Sequence, residues 1–174
     1  SPNMRTTATA TVYPGTCIFE GTNLSEGRGT DKPFEKIGAP FVSGQVLADT
    51  LNGAALPGVQ FAAVTFTPTT SKFAGQLCGG VEVIVTDPGQ FDPIRTGLVM
   101  LQEFWRAYTA QVNITTYADT LMPTPGLSNR IRTESVDSII SDWKSLRSQF
   151  EQLRNNYLLY GPSSSFVADW ELYD

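Results

Sequence analysis

Val59-Gln60-Phe61-Ala62-Ala63-Val64-Thr65-Phe66 and Val81-Glu82-Val83-Ile84-Val85-Thr86 are the two stretches whose reading decides the fold. Both are dense in β-branched and aromatic residues and bounded by Pro, Gly or Asp, which suits a pleated, half-buried surface and predicts two strands of a central sheet. Between them runs Thr67-Pro68-Thr69-Thr70-Ser71-Lys72-Phe73-Ala74-Gly75-Gln76. This polar connection is too long for a tight hairpin, and long connections are often where function is placed.

Working outward, Asp92-Pro93 opens a well-marked helix: Asp92 can cap, Pro93 is tolerated at the first helical position, and Ile94, Leu98, Leu101, Trp105 and Tyr108 recur at helical intervals. A second helix is expected from about Ser135, with Val136, Ile139, Ile140, Trp143, Leu146, Phe150, Leu153 and Tyr157 on one stripe, opposite Lys144, Arg147, Glu151 and Arg154. Both stripes read as packing faces, and Trp105 and Trp143 as core rather than ligand platforms. On the N-terminal side, Val42, Val46, Leu47 and Leu51 fall at helical spacing and Asn52-Gly53 supplies a stop. Phe34 to Phe41 reads as a short extended segment. Thr6 to Phe19 is either a helix bent at Pro14 or a strand, since periodicity does not arbitrate. Gly161-Pro162-Ser163-Ser164-Ser165 begins a tail in which Trp170 and Tyr173 are expected to contact the body. Because helices and strands do not alternate, the pattern points to an α+β domain: a small, mostly antiparallel sheet packed by helices, with long Gly-rich loops. The expected division is a domain over 1–160 and a Ser-rich tail over 161–174.

Composition narrows the function classes. The 174 residues suit one core of ordinary globular make-up. Twelve Lys plus Arg against 17 Asp plus Glu give a net charge of −5, a field that repels phosphate backbones and disfavours nucleic acid as a partner. No apolar run approaches the roughly 20 residues that cross a bilayer. Ser1-Pro2-Asn3-Met4 reads as the start of a processed or truncated product. His is absent and only Cys17 and Cys78 are present, which excludes the usual zinc clusters and any His-based triad within this chain. No cofactor is expected. The two cysteines form either a disulfide, which an extracytoplasmic location permits, or two buried thiols. Asn23-Leu24-Ser25 and Asn113-Ile114-Thr115 match the glycosylation acceptor pattern, relevant only to a secreted eukaryotic protein.

The densest polar cluster on permissive backbone is Glu20 to Asp31, where Gly21, Gly27 and Gly29 can expose backbone N–H groups. It is not a phosphate loop: five residues separate Gly21 from Gly27, Arg28 stands in place of Lys, and Gly29 intrudes before Thr30. Glu20, Thr22, Asn23, Ser25, Glu26, Arg28, Thr30 and Asp31 form a set suited to several hydroxyls and one carboxylate. Thr70, Ser71, Lys72 and Gln76 of the second connection join them as candidate contacts. A guanidinium holds a carboxylate through two parallel hydrogen bonds, so Arg28 is the sharpest member; the plainer alternative is that it pairs with Glu20, Glu26 or Asp31 and braces the loop. Glu20 and Glu26 are also candidates for the paired carboxylates of a glycosidase, although charged loop residues are more often simply solvated.

The run Tyr13-Pro14-Gly15-Thr16-Cys17-Ile18-Phe19-Glu20-Gly21-Thr22-Asn23-Leu24-Ser25-Glu26-Gly27-Arg28-Gly29-Thr30, followed by Pro33-Phe34-Glu35 and Ile37-Gly38-Ala39-Pro40, resembles the signature of the NamZ-type exo-β-N-acetylmuramidases, a glycoside hydrolase family. Phe66-Thr67-Pro68-Thr69 with Ser71-Lys72-Phe73-Ala74-Gly75-Gln76-Leu77-Cys78-Gly79-Gly80-Val81 is similar to a second block of that family, and Trp143 and Tyr157-Leu158-Leu159-Tyr160 to its end. The resemblance spans roughly Thr11 to Tyr160 and is weakest between Thr109 and Glu134. It implies a two-domain enzyme of about twice this length that removes terminal N-acetylmuramic acid from cell-wall fragments. In such an enzyme an upstream Rossmann-like domain carries the catalytic glutamate. This chain then corresponds to the accessory domain that completes the cleft, inactive alone, secreted or extracytoplasmic, with a peptidoglycan fragment or amino sugar as ligand. The alternative is a non-enzymatic carbohydrate-binding module released from a larger precursor.

Overall fold

The computed structural model describes residues 2–122 and 124–159. The expected contacts of Trp170 and Tyr173, and the tail itself, lie outside the described residues. The chain divides into two compact units, with the boundary between Val136 and Asp137.

The first unit is built on three strands, β1 (Lys36–Ala39), β2 (Val59–Phe66) and β3 (Cys78–Val85), in the order β1-β3-β2. Both pairings are antiparallel, β1–β3 running from Lys36↔Glu82 to Ala39↔Gly79 and β2–β3 from Val59↔Val85 to Phe66↔Cys78. With its helices this is an α+β arrangement, as expected. The start of β3 differs from the sequence-based expectation: pairing begins at Cys78 rather than Val81 and runs through two glycines. They sit there because neighbouring backbone leaves no room for a side chain: a Cβ on Gly79 would lie 2.1 Å from the Val42 carbonyl oxygen. A Cβ on Gly80 would lie 2.2 Å from the Ile37 carbonyl oxygen, and one on Gly38 would lie 2.2 Å from that of Gly79. Here Gly marks tight backbone packing, not the end of a strand.

Thr6 to Phe19 resolves as helix. Its first segment, α1 (Thr7–Thr16), is capped by the Thr6 hydroxyl accepting from the Thr9 N–H at 3.0 Å, and it passes through Pro14 into a 3₁₀ turn, Cys17–Gly21. Next in order, α2 (Gly44–Gly53) buries Leu47, Ala48 and Leu51. The Asn52 amide locks it to β2 by donating to the Phe61 carbonyl at 2.8 Å and accepting from the Phe61 N–H at 2.9 Å. Asp92 caps α3 (Pro93–Ala107) through the Arg95 N–H at 3.0 Å. The buried face of α3 is Leu98, Met100, Leu101 and Phe104, while Trp105 and Tyr108, expected on that face, are half-buried at its edge. The Arg132 guanidinium lies 4.6 Å over the Trp105 ring, and the Tyr108 hydroxyl accepts from the Ser43 N–H at 2.7 Å. Two short helices, α4 (Tyr117–Leu121) and α5 (Leu127–Thr133), complete this unit.

The second expected helix is broken in two, α6 (Val136–Ser141) and α7 (Lys144–Asn155). At the break the Trp143 N–H donates to the Ile140 carbonyl, a three-residue bond that tightens the turn and ends α6. Ile139 is fully buried, but no residue of α7 is: Leu146, Phe150 and Leu153 are 68, 61 and 56% exposed. The α6 part of the stripe therefore packs, with Val136 and Ile139 buried, whereas on α7 the stripe is amphipathic but lies exposed among the described residues. Among the described residues no helix is long and apolar enough to cross a membrane.

Candidate functional site

The Gly-rich loop leaves the 3₁₀ turn and lies along β1, fixed by Ser25, whose N–H donates to the Gly38 carbonyl at 2.8 Å and whose carbonyl accepts from the Gly38 N–H at 3.0 Å. Most of its polar side chains are turned inward. The Thr22 hydroxyl donates to the Phe19 carbonyl at 2.8 Å and accepts from the Leu24 N–H at 3.0 Å. The Asn23 amide donates to the Gln111 carbonyl and accepts from the Asn113 N–H, both at 2.8 Å, tying the loop to the segment before α4. Ser25 Oγ accepts from the Gly27 N–H, and the Thr30 hydroxyl donates to the Gly27 carbonyl while accepting from the Lys32 N–H. Such local side-chain to backbone bonds are how Ser, Thr and Asn hold irregular backbone. Of the two glycosylation matches, Asn23 has its amide engaged in this way and Asn113 is exposed.

The charged groups converge. Arg28 Nη2 donates to Glu20 at 2.9 Å, and its Nε lies 3.0 Å from Glu26 Oε1. Its guanidinium carbon stands 5.0 Å from the centre of the Phe34 ring, on which the Tyr13 ring packs edge-on at 4.8 Å. Across from Arg28, Lys72 Nζ lies 3.0 Å from Glu26 Oε2. The ammonium directs its protons to the carbonyls of Phe19, at 2.8 Å, and Leu24, at 3.0 Å, so Oε2 receives Lys72's charge without an aimed hydrogen bond. The Ser71 hydroxyl approaches the other oxygen at 3.5 Å. Two cations and two carboxylates thus form a neutral cluster of graded exposure: Glu26 3%, Glu20 22%, Lys72 27% and Arg28 30%. Arg28 therefore braces the loop on Glu20 and Glu26, with 30% of its side chain exposed. Asp31, the third possible brace, pairs instead with Lys36 at 2.7 Å.

The 67–77 connection touches this cluster from the other side. The Thr69 N–H and hydroxyl both donate to the Gly29 carbonyl, at 3.1 and 2.9 Å. Beyond that contact Thr70, Ser71 and Gln76 are exposed. Ser71 and Phe73 adopt φ of +68° and +58°, and Phe34 one of +64°, conformations that cost a non-glycine residue about 1 kcal/mol or more and cluster at functional sites.

Sequence reasoning did not single out Tyr13 and Phe34 as parts of the site, although both lie in the stretch that carries the family resemblance. Nor did it point to Tyr117, which is 51% exposed at the start of α4. Thr115, two residues earlier, donates through both its N–H and its hydroxyl to the Gly21 carbonyl. Burial, and next the nearby Glu20 charge, push the Tyr13 phenol above its ordinary range. Cys17 and Cys78 are both buried free thiols in this structure, their pKa values raised chiefly by burial. Among the described residues no cluster of His, Cys, Asp or Glu is arranged to hold a metal.

Residues 11–160 match the family model described as "Exo-beta-N-acetylmuramidase NamZ, C-terminal". The chain belongs to the NamZ C-terminal family. A curated NamZ relative, the peptidoglycan beta-N-acetylmuramidase NamZ of Bacillus subtilis (strain 168), is 44% identical over 163 residues, covering 92% of this chain and 39% of the relative. Two crystal structures of DUF1343 family proteins from Bacteroides fragilis NCTC 9343 share the fold of this NamZ C-terminal unit. The first has a TM-score of 0.80 over 92% of this chain and 44% of that one. The second has a TM-score of 0.64 over 92% and 43%, and each is 24% identical. The chain therefore spans about two fifths of the length of the relatives it matches.

Proposed function

We propose that this NamZ C-terminal chain forms one wall of the substrate cleft of a peptidoglycan exo-β-N-acetylmuramidase and is inactive alone, the reacting groups belonging to an upstream Rossmann-like domain. The observation that carries the reading is Arg28: anchored on buried Glu26, laid over Phe34 and 30% exposed, it is a preorganised site for a carboxylate. The lactyl group of N-acetylmuramic acid supplies that carboxylate, and N-acetylglucosamine lacks it. The family membership and the name of the Bacillus subtilis relative support the substrate class.

A self-contained glycosidase site on Glu20 and Glu26 fits less well. Both carboxylates face one guanidinium, and Glu26, at 3% exposure, is poorly placed to reach a glycosidic oxygen. The decisive assay offers the purified chain a chromogenic N-acetylmuramic acid glycoside. No turnover is expected, and robust turnover sinks the proposal. In a two-domain protein of the relatives' length, Arg28→Ala is expected to lower kcat/KM about tenfold on muramic acid substrates, the scale of one charge-assisted hydrogen bond, and less on glucosamine analogues. Equal loss on both counts against the carboxylate pairing.

A further inference from the structure

The two carboxylates on Arg28 are not equivalent. Glu26 meets Nε from inside, at 3% exposure, with Lys72 on its far oxygen and Ser71 beside the near one. It is held by the folded loops on every side that its contacts define. Glu20 meets Nη2 from the last turn before the loop, at 22% exposure, and among the described residues its side chain makes this one ion pair. Arg28 itself cannot easily follow a moving partner, because Glu26 and the Phe34 ring hold its Nε edge and its face. The exchangeable contact is the outer one.

We infer that Glu20 is a built-in surrogate for the ligand's carboxylate: it occupies Arg28 Nη2 in the free protein and is displaced when an anionic sugar binds, so that it sets both affinity and the choice between anionic and neutral sugars. The inference rests on the carboxylate reading of Arg28 proposed above. Its logic is competition. The ligand gains a bidentate approach to Nη1 and Nη2 only by breaking a partly exposed ion pair and by overcoming the repulsion of a second carboxylate. Glu20 thus acts as a specificity-determining residue, and Glu26 as the positioning residue that keeps the guanidinium in place during the exchange. Neutral sugars do not compete for Nη2 and bind without disturbing Glu20.

The test titrates the 174-residue chain with N-acetylmuramic acid and with N-acetylglucosamine, following amide shifts by NMR. Four forms are compared: wild type, Glu20→Gln, Glu20→Ala and Arg28→Ala. Both Glu20 variants are expected to bind N-acetylmuramic acid tighter than wild type by roughly threefold, the scale of one exposed ion pair, with N-acetylglucosamine unchanged. Arg28→Ala is expected to lose the preference for N-acetylmuramic acid. If the preference depends on Arg28 but the Glu20 variants bind N-acetylmuramic acid equally or more weakly, or tighten on both sugars alike, the surrogate role is overturned and the carboxylate reading stands. If no form, wild type included, shows an Arg28-dependent preference, the carboxylate reading fails and the surrogate role fails with it.

Discussion

The Glu20–Thr30 loop and the 67–77 connection meet at Glu26 and are built from similar residues, Thr, Ser, Gly and one cation each, yet they use them in opposite ways. In the first, the hydroxyls and the amide close bonds within the fold, leaving Arg28 and Glu20 as its charged outlet to solvent. In the second, Lys72 reaches into the fold while Thr70, Ser71 and Gln76 are exposed. Polar residues on a Gly-rich loop are thus of two kinds, those that shape the backbone and those left facing solvent. Which kind a residue is depends on whether a backbone group stands within hydrogen-bond reach of it.

Four substitutions break or sharpen that contrast. The largest effect is expected from Glu26→Ala, which leaves Arg28 and Lys72 without their shared counter-charge. Urea denaturation should show a loss of about 3 kcal/mol, the range for removing one partner of a buried pair. A loss below about 1 kcal/mol would mean that the two loops do not depend on each other through this residue. Gly29→Ala strikes their other junction. Its φ of +79° disfavours a side chain, and the added Cβ would lie 2.5 Å from the Thr70 nitrogen. The expected cost is about 2 kcal/mol, with faster proteolysis in the 67–77 connection and not in the Glu20–Thr30 loop. The smallest effect belongs to Thr70→Ala and Gln76→Ala, each expected within about 0.5 kcal/mol of wild type in thermal or chemical unfolding. A larger loss from either would place the second connection in the same structural role as the first and dissolve the contrast.

The same distinction explains what could be read in advance. Strand β2 and helices α2 and α3 announced themselves through β-branched density, spacing and capping residues, all of which are local. The start of β3 was missed because its glycines looked like a boundary, whereas the close approach of β1 and of the Val42 carbonyl that requires them is a tertiary fact. The stripe on α7 was legible as a stripe only: periodicity reports which side chains share a face, not whether anything covers it. At the site, the types of residue around Arg28 were visible, and so was the possibility of pairing with Glu20 or Glu26. The division between inward-turned Thr22, Asn23, Ser25 and Thr30 and outward Arg28 was not: Asn23 finds Gln111 and Asn113 only in the folded chain, and the bonds of the other three to backbone two or three residues away depend on a turn geometry that residue type alone does not specify. Phe34 escaped notice because nothing in a phenylalanine signals a left-handed backbone.

Position 34 illustrates a demand that no encoded side chain meets in full. Glycine would take φ of +64° without strain but would leave Tyr13 without its ring contact and Arg28 without a floor. Any aromatic residue supplies the floor and must be forced into the turn, here with the help of the Phe34 N–H donating to the Glu26 carbonyl at 2.6 Å. Substitution in either direction gives up one of the two properties. The position therefore trades strain against support: a residue that relaxes the backbone there removes the surface on which the arginine rests, and one that keeps that surface keeps the strain.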